Sequence, residues 1–189
     1  MLIAGHVGYT VGAVWALKAL TKSDASADYR AVAVMALAPD FMDRALFVFA
    51  LPSAFDARLI AHTLIFQLAI LGAITLIRRR WWLYGAASVG HLPLDSTGLS
   101  VAWARHMLWP LIGSEWRIIG IMPGSGAVTI PYQNWVWLRI QQALQPYGLA
   151  PWWVWLLEAG GALILLAFAY RKSLYKWPRL RRFLAAGEL

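Results

Sequence analysis

The chain has 189 residues, 60% of them hydrophobic and only 14% charged, with twelve Trp, no Cys and a net charge of +8. Soluble domains run at roughly 45–50% apolar and ~25% charged, so this composition belongs with integral membrane proteins. The absence of Cys excludes disulfides, thiolate metal sites and cysteine nucleophiles. The positive charges sit at the ends of apolar runs, which points to lipid headgroups and topology and away from nucleic acid.

A membrane span needs about 20 mostly apolar residues, and the chain offers about five such stretches. The first is 2–20, which has no basic residues ahead of it and Lys18 near its end, so it reads as a span and not as a cleaved leader. A short polar loop leads into a second span at 31–51, interrupted by Pro39, Asp40, Asp43 and Arg44. The third, 58–77, ends at Arg78, Arg79 and Arg80 and the interfacial pair Trp81 and Trp82. The fourth is 83–100, where Pro93 and Gly98 favour a bend or stop. Residues 101–151 are rich in Trp, Gly and Pro and read as a membrane-hugging cap. Within the cap, an amphipathic helix is expected at 134–144 and a re-entrant stretch at 119–130. The last span is 152–170, followed by a basic tail at 171–189. The expectation is a single all-α domain, a polytopic transmembrane helix bundle of about five spans with a Trp-rich interfacial cap.

Basic residues set its orientation. With the N-terminus outside, the inner side holds Lys18, Arg30, the Arg78, Arg79 and Arg80 run and the basic tail. The outer side keeps only Arg58, Arg105, Arg117 and Arg139. The positive-inside rule favours this arrangement, with the C-terminus cytoplasmic.

Four of the spans carry the residues that hydrocarbon tolerates least: His6; Asp40 and Asp43; His62; His91 and Asp95. Asp40 and Asp43 stand three apart and His91 and Asp95 four apart, so each pair shares one helical face. At ~1.5 Å per residue all six lie roughly 6–16 Å below the outer ends of their helices. Imidazoles and carboxylates from facing helices are the usual makings of a bundle metal site. Nitrogen and oxygen donors suit zinc first, with manganese or iron as alternatives. Six candidate ligands allow one ion or two, and a two-metal site suits phosphoester hydrolysis. One carboxylate, Asp43 or Asp95, is the candidate general base. Arg58, Arg117 and His106 are weaker candidates for substrate contact. More ordinary pairings compete with this reading: Asp43 with Arg44, or Asp40 with Arg58.

The order of these elements resembles the family of LexA-binding, inner-membrane-associated hydrolases. That family has a Gly-His near its start, matched by Gly5-His6. Its Leu-Pro-Asp-x-Asp-His element is similar to the run from Ala38 to Arg44, and its Thr-His-Ser to Ala61-His62-Thr63. Its Ser-His-x-x-x-Asp followed by Thr and Gly is similar to the run from Gly90 to Gly98, and its Trp-Pro to Trp109-Pro110. The likeness covers a little over half the chain. Three departures stand out: the carboxylate pair is one residue wider, Arg44 replaces a His, and Ala57 falls where a further His is expected. The resemblance implies a metal-dependent hydrolase of a bacterial or archaeal cytoplasmic membrane, distantly similar to zinc-dependent phospholipase C and P1 nuclease. The expected substrate is then a phosphoester of a lipid or lipid-linked molecule. The alternatives are a proton- or cation-coupled transporter and a non-catalytic membrane adaptor with a structural metal.

Overall fold

A computed structural model describes residues 3–21, 27–50, 58–95, 101–115 and 152–187. It is all-helical, with no strand among the described residues. Helix α1 is Ile3–Thr21 and α2 is Tyr29–Ala45, which continues as a π-helical turn, Leu46–Ala50. A 3-10 turn, Ile60–His62, leads into α3, Leu64–Ile77. Then come α4 (Trp82–Val89), α5 (His91–Asp95) and α6 (Val101–Met107). The chain closes with α7, Trp152–Arg171, and α8, Trp177–Ala186.

The long elements run up and down. Helix α1 packs on α7 and α2, and α4 packs on α2 and α3. One end of the bundle therefore gathers the C-terminus of α1, the N-terminus of α2, the α3–α4 turn and the C-terminus of α7. That end is basic and tightly tied. Asp28 caps α2 by accepting from Arg30 N at 2.9 Å and donates its own N–H to Tyr84 Oη at 3.0 Å. The Arg30 guanidinium bonds the Asp28 carboxylate at 2.7 Å and reaches the Leu184 carbonyl at 2.8 Å, fastening α8 beneath the bundle. Above it, Val11, Val14, Tyr29, Val32, Ala87, Phe168 and Leu174 form an apolar core.

Glycine lets α1 and α7 meet at backbone distance. A Cβ at Gly8 would fall on the Gly161 carbonyl, and one at Gly161 would fall on the Ala4 carbonyl. Such small-residue contacts are the commonest way apolar helices approach closely where no hydrophobic force drives them together.

One described helix, α7, is long and apolar enough to cross a membrane. The other expected spans are helical but different in detail. Helix α1 has the length, at 19 residues, and carries His6, Thr10 and Lys18. Helix α3 is apolar but only 14 residues long. The fourth stretch is divided into α4 and α5 at Gly90, because Pro93 in the first turn of α5 has no N–H to continue one regular helix. Helix α2 continues through Pro39, which is fully buried. The expected helix at 134–144, the re-entrant stretch at 119–130 and Arg117 lie outside the described residues.

His6, Asp43, His62, Thr63, Gln67, Ser88, His91 and Glu158 are inside. Large apolar side chains such as Val34, Phe41, Leu68, Leu76, Leu163 and Leu166 are outside.

Candidate metal centre

The buried polar groups collect at the end of the bundle opposite the basic one. The six expected ligands come from four elements: the start of α1, the second half of α2, the turn before α3, and α5. Asp40 Oδ1, His62 Nε2, His91 Nε2 and Asp95 Oδ2 form a group whose ligand atoms all lie within 4.8 Å of one another. The two imidazole nitrogens are 3.2 Å apart. Asp40 Oδ1 is 3.4 Å from His62 Nε2 and 3.8 Å from His91 Nε2, and Asp95 Oδ2 is 3.5 and 3.9 Å from the same atoms. A tetrahedral ion with ligands at ~2.0–2.1 Å places neighbouring ligand atoms about 3.3 Å apart, so the spread fits a slightly expanded coordination shell.

Protons on the two rings are fixed by their other nitrogens. His91 Nδ1 lies 2.8 Å from the Ala36 carbonyl, which only accepts, so Nδ1 carries the hydrogen. That carbonyl sits in the helical turn just before Pro39, whose missing N–H and ring loosen the backbone ladder there. His62 Nδ1 lies 2.7 Å from Asp43 Oδ2, an oxygen that also accepts from Leu59 N at 2.6 Å and His62 N at 3.1 Å. It too must be the donor. Both rings therefore turn Nε2 toward the same point, where an Asp40 and an Asp95 oxygen also converge. A positive charge there, whether a proton on one ring or a metal ion, satisfies the close pair of nitrogens and the two carboxylates together.

The turn that carries His62 is held at almost every polar backbone group. Asp43 accepts from the N–H groups of Leu59, Ala61 (2.9 Å) and His62. The Ala61 carbonyl accepts from Gln67 Nε2 at 2.6 Å, and Ser88 Oγ donates to Gln67 Oε1 at 2.6 Å. His106 Nε2 donates to the Leu59 carbonyl at 3.0 Å. Thr63 caps α3 by accepting from Phe66 N, and its hydroxyl donates to the Ile60 carbonyl at 2.8 Å. A ligand ring whose far nitrogen is held by a carboxylate is the usual way a protein fixes a metal-binding imidazole.

Of the six expected ligands, four form the group and two stand beside it. Asp43 is expected as a ligand or base, but four donors occupy its oxygens, and its observed work is to orient His62. His6 stacks on His91 with ring centroids 4.1 Å apart, and its Nε2 lies 3.1 Å from Asp95 Oδ1, the oxygen turned away from the group. His62 is expected within a regular span and instead sits on the 3-10 turn, where backbone N–H groups remain free for Asp43. Neither arginine takes its expected partner: Arg44 reaches Asp40 at 3.3 Å, and Arg58 reaches Asp95 at 2.9 Å. His106 props the turn and is buried, with no place in the four-atom group.

Sequence reasoning missed Glu158, Gln67 and Ala36. Glu158 is buried on α7 and accepts from Gly5 N at 2.9 Å, tying the start of α1 next to His6. Its signal was available: a lone carboxylate in a 20-residue apolar helix. Gln67 carried a similar signal in α3, whereas a backbone carbonyl such as that of Ala36 carries none. Comparisons with protein-family models, curated proteins and solved structures gave no match.

Proposed function

We propose that this protein is a membrane-embedded, metal-dependent hydrolase that cleaves a phosphoester of a lipid or lipid-linked substrate. The observation that carries the reading is the pair of Nε2 atoms facing each other at 3.2 Å, with both Nδ1 atoms committed elsewhere and two carboxylates converging on the same point. His62, His91, Asp40 and Asp95 would hold a divalent ion, zinc by donor type. Bound there, such an ion supplies Lewis acidity and brings the pKa of a coordinated water down toward ~7.

The chain's own residues do the remaining work. Arg58 is half exposed beside Asp95, and Arg44 lies beside Asp40. Both are cations at the rim where a phosphoryl group would enter, and Arg is suited to phosphate oxygens. Asp95 turns Oδ2 toward the ion in this reading, with His6 on its other oxygen holding the carboxylate in place. Asp43 is the positioning residue for His62.

Membrane residence in five passes is part of the same proposal. Large apolar side chains on the exterior, polar side chains buried at one end and basic residues gathered at the other support it. The likeness to the inner-membrane-associated hydrolase family points the same way, with the site toward the outer face.

One observation favours a second reading. Four protein ligands can close a tetrahedral site, as in structural zinc centres, and catalytic sites keep a position open. A non-catalytic membrane adaptor with a structural metal would have that property.

The decisive experiment uses detergent-purified protein. Metal per chain is measured alongside hydrolysis of a panel of phospholipids and lipid phosphates, for wild type and His91→Ala. The proposal expects close to stoichiometric metal and hydrolysis in the wild type, with both lost in the variant. Stoichiometric metal without hydrolysis supports the adaptor, and His91→Ala protein that keeps its metal overturns the site itself.

A further inference from the structure

A crevice of about 470 Å³ opens sideways between α1 and the α4–α5 pair. Its walls are almost wholly carbon, with Leu17, Leu83, Pro93 and Leu94 among them, and Tyr9 and Thr10 on the α1 side. We propose that it holds the hydrocarbon tail of the lipid substrate, alongside the helices and with its head at the metal centre. The inference rests on the hydrolase reading and adds to it a tail-binding site.

Position argues for this first. Gly90, Pro93 and Leu94 line the crevice, while His91 and Asp95 between and after them carry candidate ligands. One five-residue helix thus forms both the end of the crevice and part of the centre. Direction argues next. On α1 the lining runs from Tyr9 to Leu17, about 12 Å of helix at ~1.5 Å per residue, starting one turn beyond His6 and leading away from it. A chain lying there is parallel to its neighbours in a bilayer and has its polar end at Asp95. The size falls in the roughly 300–1,000 Å³ range of sites that enclose a small ligand.

The wall chemistry agrees. Carbon-lined spaces do not hold ordered water, which needs polar partners. Thr10 in this wall is 6% exposed, and its hydroxyl has no hydrogen-bond partner among the described residues. It lies one helical turn from His6. The linkage oxygens of a glycerolipid follow the phosphate at about that spacing.

The test is photolabelling with a phosphatidic acid that carries a diazirine in its acyl chain, presented to the full-length protein in phosphatidylcholine nanodiscs. Adducts are mapped by mass spectrometry, and metal content is measured on the same samples. Adducts are expected on the α1 and α4–α5 crevice walls at about tenfold the level on Leu163 and Leu166, which are exposed on α7. Ala13→Phe, at the exposed rim, and Ala86→Phe, in the wall, should each remove most of that excess with metal content unchanged. Even labelling of all apolar faces in the wild type overturns the crevice proposal whether or not either variant folds, as does an excess that survives both substitutions. Crevice labelling in protein that binds no metal would retain the lipid site and sink the hydrolase. Stoichiometric metal with even labelling would do the reverse.

Discussion

Asp43→Asn tests the division of labour at the metal centre more sharply than removal of any ligand. Asp43 accepts four hydrogen bonds, three from backbone N–H groups and one from His62 Nδ1. Bonds to a charged acceptor are each worth roughly 1.5–3 kcal/mol, so Asp43→Ala would forfeit on the order of 6–12 kcal/mol. That matches the whole stability of a typical domain, about 5–15 kcal/mol, so the Ala variant should fail to fold. Asn keeps the shape and one accepting oxygen, and opposes the remaining donors with its amide. If Asp43 only orients His62, its loss should weaken metal binding about 10–100-fold, the usual effect of removing a ligand's supporting partner. A true ligand is worth more: about 10–16 kcal/mol shared among four gives roughly a hundred- to a thousandfold each.

The assay is a titration with Co²⁺, whose absorption bands report the ligand set as well as the affinity. The expected result for Asp43→Asn is weaker binding with an unchanged cobalt spectrum at saturation, against Asp40→Ala with an altered spectrum and far weaker binding. An altered spectrum in Asp43→Asn would make Asp43 a ligand. Unchanged affinity would show that the hold on His62 does not matter. Either result refutes the reasoning.

Two further outcomes probe the bundle. Gly8→Ala should force α1 and α7 apart and cost about 1–3 kcal/mol, the usual penalty of overpacking. Gly72→Ala on α3, whose Cβ would meet nothing, should gain about 0.5–1 kcal/mol. Thermal unfolding in detergent compares the two, and equal Tm values would remove the argument for backbone contact. At the basic end, Arg30 hydrogen-bonded beside Asp28 holds that carboxyl below its usual range. A carboxyl with a lowered folded-state pKa contributes its full stability above its ordinary value of ~3.9 and loses it as pH falls through the lower one. Asp28→Ala should therefore cost roughly 0.5–2 kcal/mol near neutral pH, mostly as a lost cap, and nothing in strong acid. A cost independent of pH would show that the carboxylate charge plays no part.

How far the sequence could be read depends on which signals are local. Helical character, the approximate limits of α1, α2 and α7, and the meeting of His6, Asp40, Asp43, His62, His91 and Asp95 at one place were all legible. Each follows from apolar run length or from the cost of a polar group in an apolar run, and neither needs a partner to be identified. The separation of α5 from α4 was half legible, since Pro93 marks a weak point without saying where the axis breaks. Glu158 and Gln67 give the same signal as His6 and His62, each a single polar group in an apolar run.

Roles were decided elsewhere. Asp40 and Asp43 look alike in sequence, a carboxylate pair three residues apart. The tertiary structure separates them, because Asp43 alone points at a 3-10 turn whose backbone N–H groups lack helical partners. Likewise, no spacing could assign Arg58 to Asp95 and Arg44 to Asp40, or show that the Ala36 carbonyl sets the tautomer of His91. The sequence by itself determined which side chains are too polar for their surroundings and therefore must meet. Only the packed bundle decided which of them face the same point and which merely hold the others there, since that depends on directions in space that chain order does not carry.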